Sequence, residues 1–257
     1  IGQDAHGKML RENLAALGAD LAGLQEVPGR PTITKQRLIG LAQHRHKQQL
    51  MRIDREPAEP LSRDLGERIV QRYREHLREV DVVCLQDYNK GMLAPLLCQQ
   101  MIGLAQEAGT RVLVDPALGH EYVPYSGATV LTPNRREAAT AVGHAIESTA
   151  EAAEAACRLR RDLALDAAVI TLDKEGAYLA TEDISELVPA KPRNVYDVTG
   201  AGDAVLATLA VSLAADSDYL TAVHLANIAG GIAVEKFGTA TVTVSEMVHE
   251  IAERFGA

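Results

Sequence analysis

From residue 82 onward the sequence alternates between short apolar runs and longer helical stretches, with brief connections between them. The apolar runs fall at 81–85, 111–115, 128–131, 167–172 and 177–180. Helical patterns fall at 94–108, from Asn134 onward, at 148–163, from Ala204 onward, at 220–236 and at 245–255. Short continuous apolar runs suit strands buried on both faces. Alternated with helices through short links, they predict a mostly parallel sheet with helices on both faces, an α/β fold. Asp173-Lys174-Glu175-Gly176 reads as a tight hairpin turn between two of the strands.

The region before residue 82 reads differently. Asp4 is placed to cap a helix running to Leu17, with Met9, Leu10, Leu14 and Leu17 on one stripe and Gly18 as its stop. Pro28-Gly29-Arg30-Pro31 breaks the chain. Residues 32–39 alternate with period two, and 48–54 form a second short strand, so the two pair or lie adjacent. His44-Arg45-His46 falls at the tip between them. A Glu/Pro linker at 56–60 leads into a charged helix at 61–80. The first residue is Ile1, and the opening four residues read as the end of a strand and the cap of a helix, so the chain is expected to begin inside a domain.

Chemistry concentrates in Asp197-Val198-Thr199-Gly200-Ala201-Gly202-Asp203, which runs straight into a helix of small and aliphatic residues. Two glycines at the mouth of a helix let the backbone turn tightly and leave N–H groups without an intrahelical partner. Those donors and the helix dipole suit an anion. Asp203 would repel a phosphate there. It is better placed to take a proton from a hydroxyl that attacks a phosphoryl group held by the N–H groups. Elsewhere, Asn134 and Glu137 share a face of a first helical turn. They can form a capping box, or hold a hydrated Mg²⁺ or phosphate oxygens, and the same geometry serves both. Gln86-Asp87-Tyr88-Asn89-Lys90-Gly91 follows a buried strand, where open α/β sheets put their ligands. Lys35, Arg37 and Arg52 set cations on the early strand pair, suited either to a soluble sheet edge or to an anionic ligand.

Composition narrows the partners. A formal net charge of −9 argues against a nucleic-acid backbone. With 47% apolar residues over 257, a sizeable core is available. The three cysteines, Cys84, Cys98 and Cys157, are far apart and read as buried, reduced thiols of a cytoplasmic protein. No charge-free apolar run approaches the ~18 residues of a membrane span, and no signal peptide is visible.

The 197–203 stretch resembles the C-terminal signature of the PfkB/ribokinase sugar kinases. Other stretches resemble the branch of that family that phosphorylates D-glycero-β-D-manno-heptose 7-phosphate within bifunctional ADP-heptose synthesis enzymes. These are residues 30–37 (Arg-Pro-Thr-Ile-Thr-Lys-Gln-Arg), 48–54 (Gln-Gln-Leu-Met-Arg-Ile-Asp), 87–91 (Asp-Tyr-Asn-Lys-Gly), and Leu131-Thr132-Pro133-Asn134 with Glu137. The resemblance implies a ribokinase-like fold over 1–257, one kinase domain with residues 30–54 as a small β lid. It implies Asp203 as the base and Gly200, Ala201 and Gly202 as the anion hole. It implies ATP contacts at Asn134, Arg135, Arg136, Glu137, Thr171, Gly176 and Asn227. Mg²⁺ would be held through water by Glu137 and Asn134, and K⁺ by Asp197 and Thr199. Lys35, Arg37, Arg52 and Lys90 would meet the sugar phosphate, with Asp87 accepting from a sugar hydroxyl. Pairing of two copies through the lid is a further expectation. Asp115-Pro116-Ala117-Leu118-Gly119 departs from the family's Asp-Pro-Lys-Gly and removes a cation. The family's first strand, its Gly-Asp segment with a sugar-binding Asp and its Gly-Gly loop would precede Ile1, and the chain as given is expected to be inactive or weakly active and prone to associate. A kinase for another sugar phosphate or nucleoside, and a non-catalytic nucleotide- or sugar-binding module, remain the alternatives.

Overall fold

The computed structural model describes residues 1–40, 48–57, 61–119, 121–191, 193 and 195–255. Its contacts divide the chain into two compact units, Ile1–Glu75 with Lys90–Met92, and His76–Asn89 with Leu93–Ala257.

In the first unit, α1 (Ala5–Ala16) starts at Asp4, whose carboxylate accepts from Gly7 N and from Thr32 N, each at 2.8 Å. Those backbone donors hold the Asp4 carboxyl down to about 2. The expected apolar stripe of α1 is not a core: Met9, Leu10 and Leu17 are exposed and only Gly7 is buried. Strands β1 (Thr34–Gly40) and β2 (Gln48–Arg55) pair antiparallel, with a register irregularity between Leu38 and Ile39. The expected hairpin tip at His44-Arg45-His46 and residues 58–60 of the linker lie outside the described residues. Helix α2 (Arg63–His76) follows.

The second unit holds one six-stranded sheet in the order β3 (Val82–Gln86), β4 (Arg111–Asp115), β5 (Val130–Leu131), β6 (Ala167–Thr171), β7 (Gly176–Ala180) and β8 (Ser185–Pro189). The first four strands are parallel, and β7 and β8 return antiparallel. Helices α3 (Pro95–Ala108), α4 (Arg135–Val142) and α5 (Thr149–Asp162) lie in the connections between the parallel strands. Helices α6 (Ala201–Ala214) and α7 (Tyr219–Val234) pack on each other and cover one face of the sheet. There Leu113, Val130, Val169 and Leu179 meet Val205, Leu206, Leu209, Leu213 and Val223. The alternate strand residues Val112, Val114, Leu131, Ala168 and Ile170 are buried too, on the opposite face. Helix α8 (Val244–Phe255) packs on α7.

Two expectations are corrected here. Strand β8 gave no sequence signal: it ends in Pro189, and only Val188 along it is buried. Of the cysteines, Cys98 is buried, whereas Cys84 is exposed on β3 and Cys157 is partly exposed; all three are free thiols. Among the described residues, no helix is long and apolar enough to cross a membrane.

Candidate active site

Parallel strands in an α/β sheet end at one edge, and the chain leaves them there as loops. That edge of the second unit carries Tyr88 after β3, Asp115 at the end of β4, Asn134 after β5 and Thr171 at the end of β6. Helix α6, which packs on β3 and β4, brings its N-terminus to the same group.

Gly200 caps α6 at φ +84°, a left-handed conformation that favours glycine. No side chain caps this terminus; Ala201 N donates to Val198 O at a long 3.3 Å, a weak bond that a stronger acceptor could displace. A Cβ on Gly202 would meet nothing nearer than Asp115 Oδ2 at 3.7 Å, so that glycine keeps the loop open without being forced by the backbone. Asp203 is exposed in the first turn and lines a cavity of about 350 Å³ with Gly200, Ala204, Thr208, Thr239 and Thr241. Asp197 is spent on the loop itself. Its Oδ1 accepts from Thr199 N at 2.9 Å and Thr199 Oγ1 at 2.7 Å, and its Oδ2 accepts from Gly238 N at 3.1 Å.

Sequence reasoning gave no role to four groups around Asp203 and Asp115. The Tyr88 hydroxyl donates to Asp203 Oδ1 at 2.7 Å. Burial and that bond raise the Tyr88 phenol above its ordinary range. Asp115 is pushed up to about 7, first by burial and then by the charges of Glu137 and Asp203, against a hydrogen bond from Gln86 that favours its anion. The Tyr122 hydroxyl is buried without a hydrogen-bond partner among the described residues and feels the charges of Glu137 and Asp115. The sequence marked the stretch 86–91 as a ligand-side loop and 115–119 as a motif variant, without giving Gln86, Tyr88 or Asp115 a role, and nothing local marked Tyr122.

Asn134 and Glu137 form the capping box of α4: Glu137 N donates to Asn134 Oδ1 at 3.0 Å, and Asn134 N to Glu137 Oε2 at 2.8 Å. Burial raises the Glu137 carboxyl, and the bonds from Asn134 oppose it. Asn134 bridges to Thr171, which brings those two expected nucleotide residues together. The oxygen donors Asp115 and Glu137, with the orphaned Tyr122 hydroxyl, fit a hydrated Mg²⁺ held through water. Among the described residues no three acidic, His or Cys side chains group closely enough to hold a metal directly.

The other expected nucleotide residues have structural work. The Arg135 guanidinium ties α4 to the β6–β7 turn through Glu175 at 2.5 Å and Asp173 at 3.4 Å, and donates to Ile146 O at 3.0 Å. Arg136 is exposed and lines a cavity of about 310 Å³ with Asn134 and Asp173. Gly176 lies at φ +113°, where a Cβ would collide with Val188 O and lie 2.6 Å from Ala190 N. Asn227 is buried and donates to Val188 O at 2.8 Å. Asp87 is also buried, accepting from Tyr125 at 2.8 Å and from Asn89 N at 2.7 Å, one bond to each of its oxygens.

Within the first unit, the β1–β2 register sets Lys35 opposite Asp54 and Arg37 opposite Arg52. Arg52 pairs with Asp54 at 2.8 Å, and Lys90 with Glu56 at 2.7 Å. Two guanidinium groups directly opposite repel unless an anion sits by them, and Asp54 neutralises only one.

The sequence matches the pfkB family of carbohydrate kinases over residues 1–246. It is 39% identical over 256 residues to the bifunctional protein HldE of Mesorhizobium japonicum, covering 100% of this chain and 50% of that protein. The HldE of Geobacter metallireducens is 41% identical over 249 residues, with 96% and 50% covered. The chain thus spans about half the length of the curated relatives it matches. In fold it is similar to Escherichia coli phosphofructokinase-2 crystallised with potassium (TM-score 0.78, 18% identity, 100% of this chain and 80% of that one). It is equally similar to Arabidopsis thaliana ribokinase complexed with ribose and ATP (TM-score 0.77, 21% identity, 97% and 79% covered). The fold is ribokinase-like, and the chain belongs to the pfkB family of carbohydrate kinases.

Proposed function

We propose that this chain transfers the γ-phosphoryl group of ATP to the anomeric hydroxyl of D-glycero-β-D-manno-heptose 7-phosphate, giving heptose 1,7-bisphosphate on the route to ADP-heptose. The observation that carries the phosphoryl-transfer part is Asp203 in the first turn of α6, beside a left-handed Gly200 and a terminus that no side chain caps. The specific sugar is supported by 37–41% identity to HldE proteins along nearly the whole chain.

The N–H groups of Gly200, Ala201 and Gly202 receive the γ-phosphate oxygens, where the α6 dipole favours negative charge. Asp203 accepts the proton of the attacking hydroxyl as its oxygen bonds to phosphorus and the bond to ADP breaks. Mg²⁺, when bound, neutralises charge on the phosphates; Glu137 and Asn134 would hold it through water, with Asp115 and Tyr122 facing it. Asp197 and Thr199, in the loop that leads to α6, are the proposed holders of K⁺. Lys35, Arg37, Arg52 and Lys90 are the proposed partners of the 7-phosphate, a dianion that calls for charge-assisted donors. The exposed Leu38, Met51 and Ile53 of the strand pair support association of two copies through it.

The experiment offers the full-length protein ATP, Mg²⁺ and a panel of acceptors: heptose 7-phosphate, fructose 6-phosphate, ribose and adenosine. Phosphorus NMR then locates the new phosphate. The expected result is an anomeric phosphate on heptose 7-phosphate at the highest kcat/KM of the panel. Preferred turnover of another acceptor reassigns the substrate, and no turnover of any acceptor leaves a binding module.

A further inference from the structure

We propose that Tyr88 is the positioning residue of the catalytic base: its hydroxyl pins one oxygen of Asp203 and leaves the other to take the acceptor's proton. This rests on the reading of Asp203 as the base. An aspartate carboxylate turns broadly about its last torsion, and Asp203 is exposed at the edge of a cavity, so nothing in its own helix fixes its orientation. The fix comes from 115 residues away in sequence. Tyr88 donates to Oδ1 at 2.7 Å. The other oxygen, Oδ2, is the one nearest Gly200, 3.9 Å from where a Cβ on that glycine would stand. The free oxygen therefore lies toward the glycine turn that would receive the phosphoryl group.

The aim of Tyr88 is built in. It is half-exposed and follows β3, where a flexible tyrosine would ordinarily swing into water. Its neighbours fix the backbone that carries it. Asn89 adopts φ +54°, and its N–H donates to Asp87 Oδ1 at 2.7 Å, closing a tight turn around Tyr88. Asp87 is itself buried, with Oδ2 accepting from the Tyr125 hydroxyl at 2.8 Å, and Tyr125 is 1% exposed. Ala117 N donates to that same hydroxyl at 3.3 Å. A buried hydrogen-bonded chain from the segment after β4 thus fixes the turn that carries Tyr88. The raised phenol keeps Tyr88 a donor at every working pH, so it holds the carboxylate without competing for the proton.

The test is a double-mutant cycle on the full-length enzyme, measuring kcat and both KM values for wild type, Tyr88→Phe, Asp203→Asn and the pair. Tyr88→Phe keeps the ring and removes only the donor, and circular dichroism establishes that it folds. Its expected kcat is about 10- to 100-fold below wild type, the cost of a misaimed group, with the KM for ATP and for the sugar phosphate each within about twofold. In the pair, adding Tyr88→Phe to Asp203→Asn should cost nothing further, because the group it positions is gone. Wild-type kcat in Tyr88→Phe beside a disabled Asp203→Asn overturns the proposal. So does a fully additive loss in the pair, or an effect confined to the acceptor KM, which would make Tyr88 a substrate contact. Near-normal turnover in Asp203→Asn alone instead overturns the base assignment, and with it any need to position that residue.

Discussion

Asp115 and Asp203 stand at the same edge of the sheet and differ in what surrounds them. Asp203 is exposed, with Tyr88 on one oxygen. Asp115 is largely enclosed, and burial lifts it to about 7 against the ordinary carboxylate value of 3.8. A folded pKa above the unfolded one means that folding is favoured while the group is protonated. The contribution is full below about pH 4 and is lost as pH rises through about 7. In metal-free buffer, Asp115→Asn should therefore melt several degrees above wild type near pH 8, by clearly more than near pH 5, and no higher near pH 3.5, as read from Tm at the three pH values. Equal melting at pH 8 would mean that Asp115 ionises freely. A cation bound beside Asp115 would favour its anion.

At the scale of elements, the β6–β7–β8 meander is held by residues that the sequence presented as ligands. Gly176 opens β7 at φ +113°, with Val188 O and Ala190 N where a side chain would begin. Gly176→Ala should cost more than about 2 kcal/mol, through strain and collision together. Denaturant unfolding measures it, and an unchanged midpoint would show that the backbone tolerates a side chain there. Asn227 and Arg135 teach the same point. A buried amide on Val188 O and a guanidinium clasping a turn are local jobs, and a linear sequence shows the residue type without the partner. What was legible was periodic or punctuated: the parallel strands, the capping box at Asn134 and the glycine-mouthed start of α6. The apolar stripe of α1 was legible and misleading, because periodicity says which residues share a face and not whether anything covers it. The loop that carries Tyr88 was legible and its partner was not, since the bond to Asp203 joins positions 115 residues apart.

At the scale of the whole molecule, the chain is two units of different make-up. The first carries the strand pair on which Arg37 faces Arg52; the second carries the sheet, the α6 terminus and Asp203. If the strand pair's cations serve the acceptor's phosphate, Arg37→Gln should raise the KM for the sugar phosphate about tenfold or more and leave the KM for ATP alone. Steady-state kinetics with each substrate varied in turn decides it, and a change confined to ATP would remove Arg37 from the acceptor. The central claim is that the α6 terminus is where phosphoryl transfer occurs, with Asp203 as the base. The most direct measurement is single-turnover phosphoryl transfer by full-length Asp203→Asn, with ATP affinity measured separately. The predicted result is transfer slowed by about 10²- to 10⁴-fold, with ATP affinity within a few-fold of wild type. Transfer at the wild-type rate in that variant would contradict it.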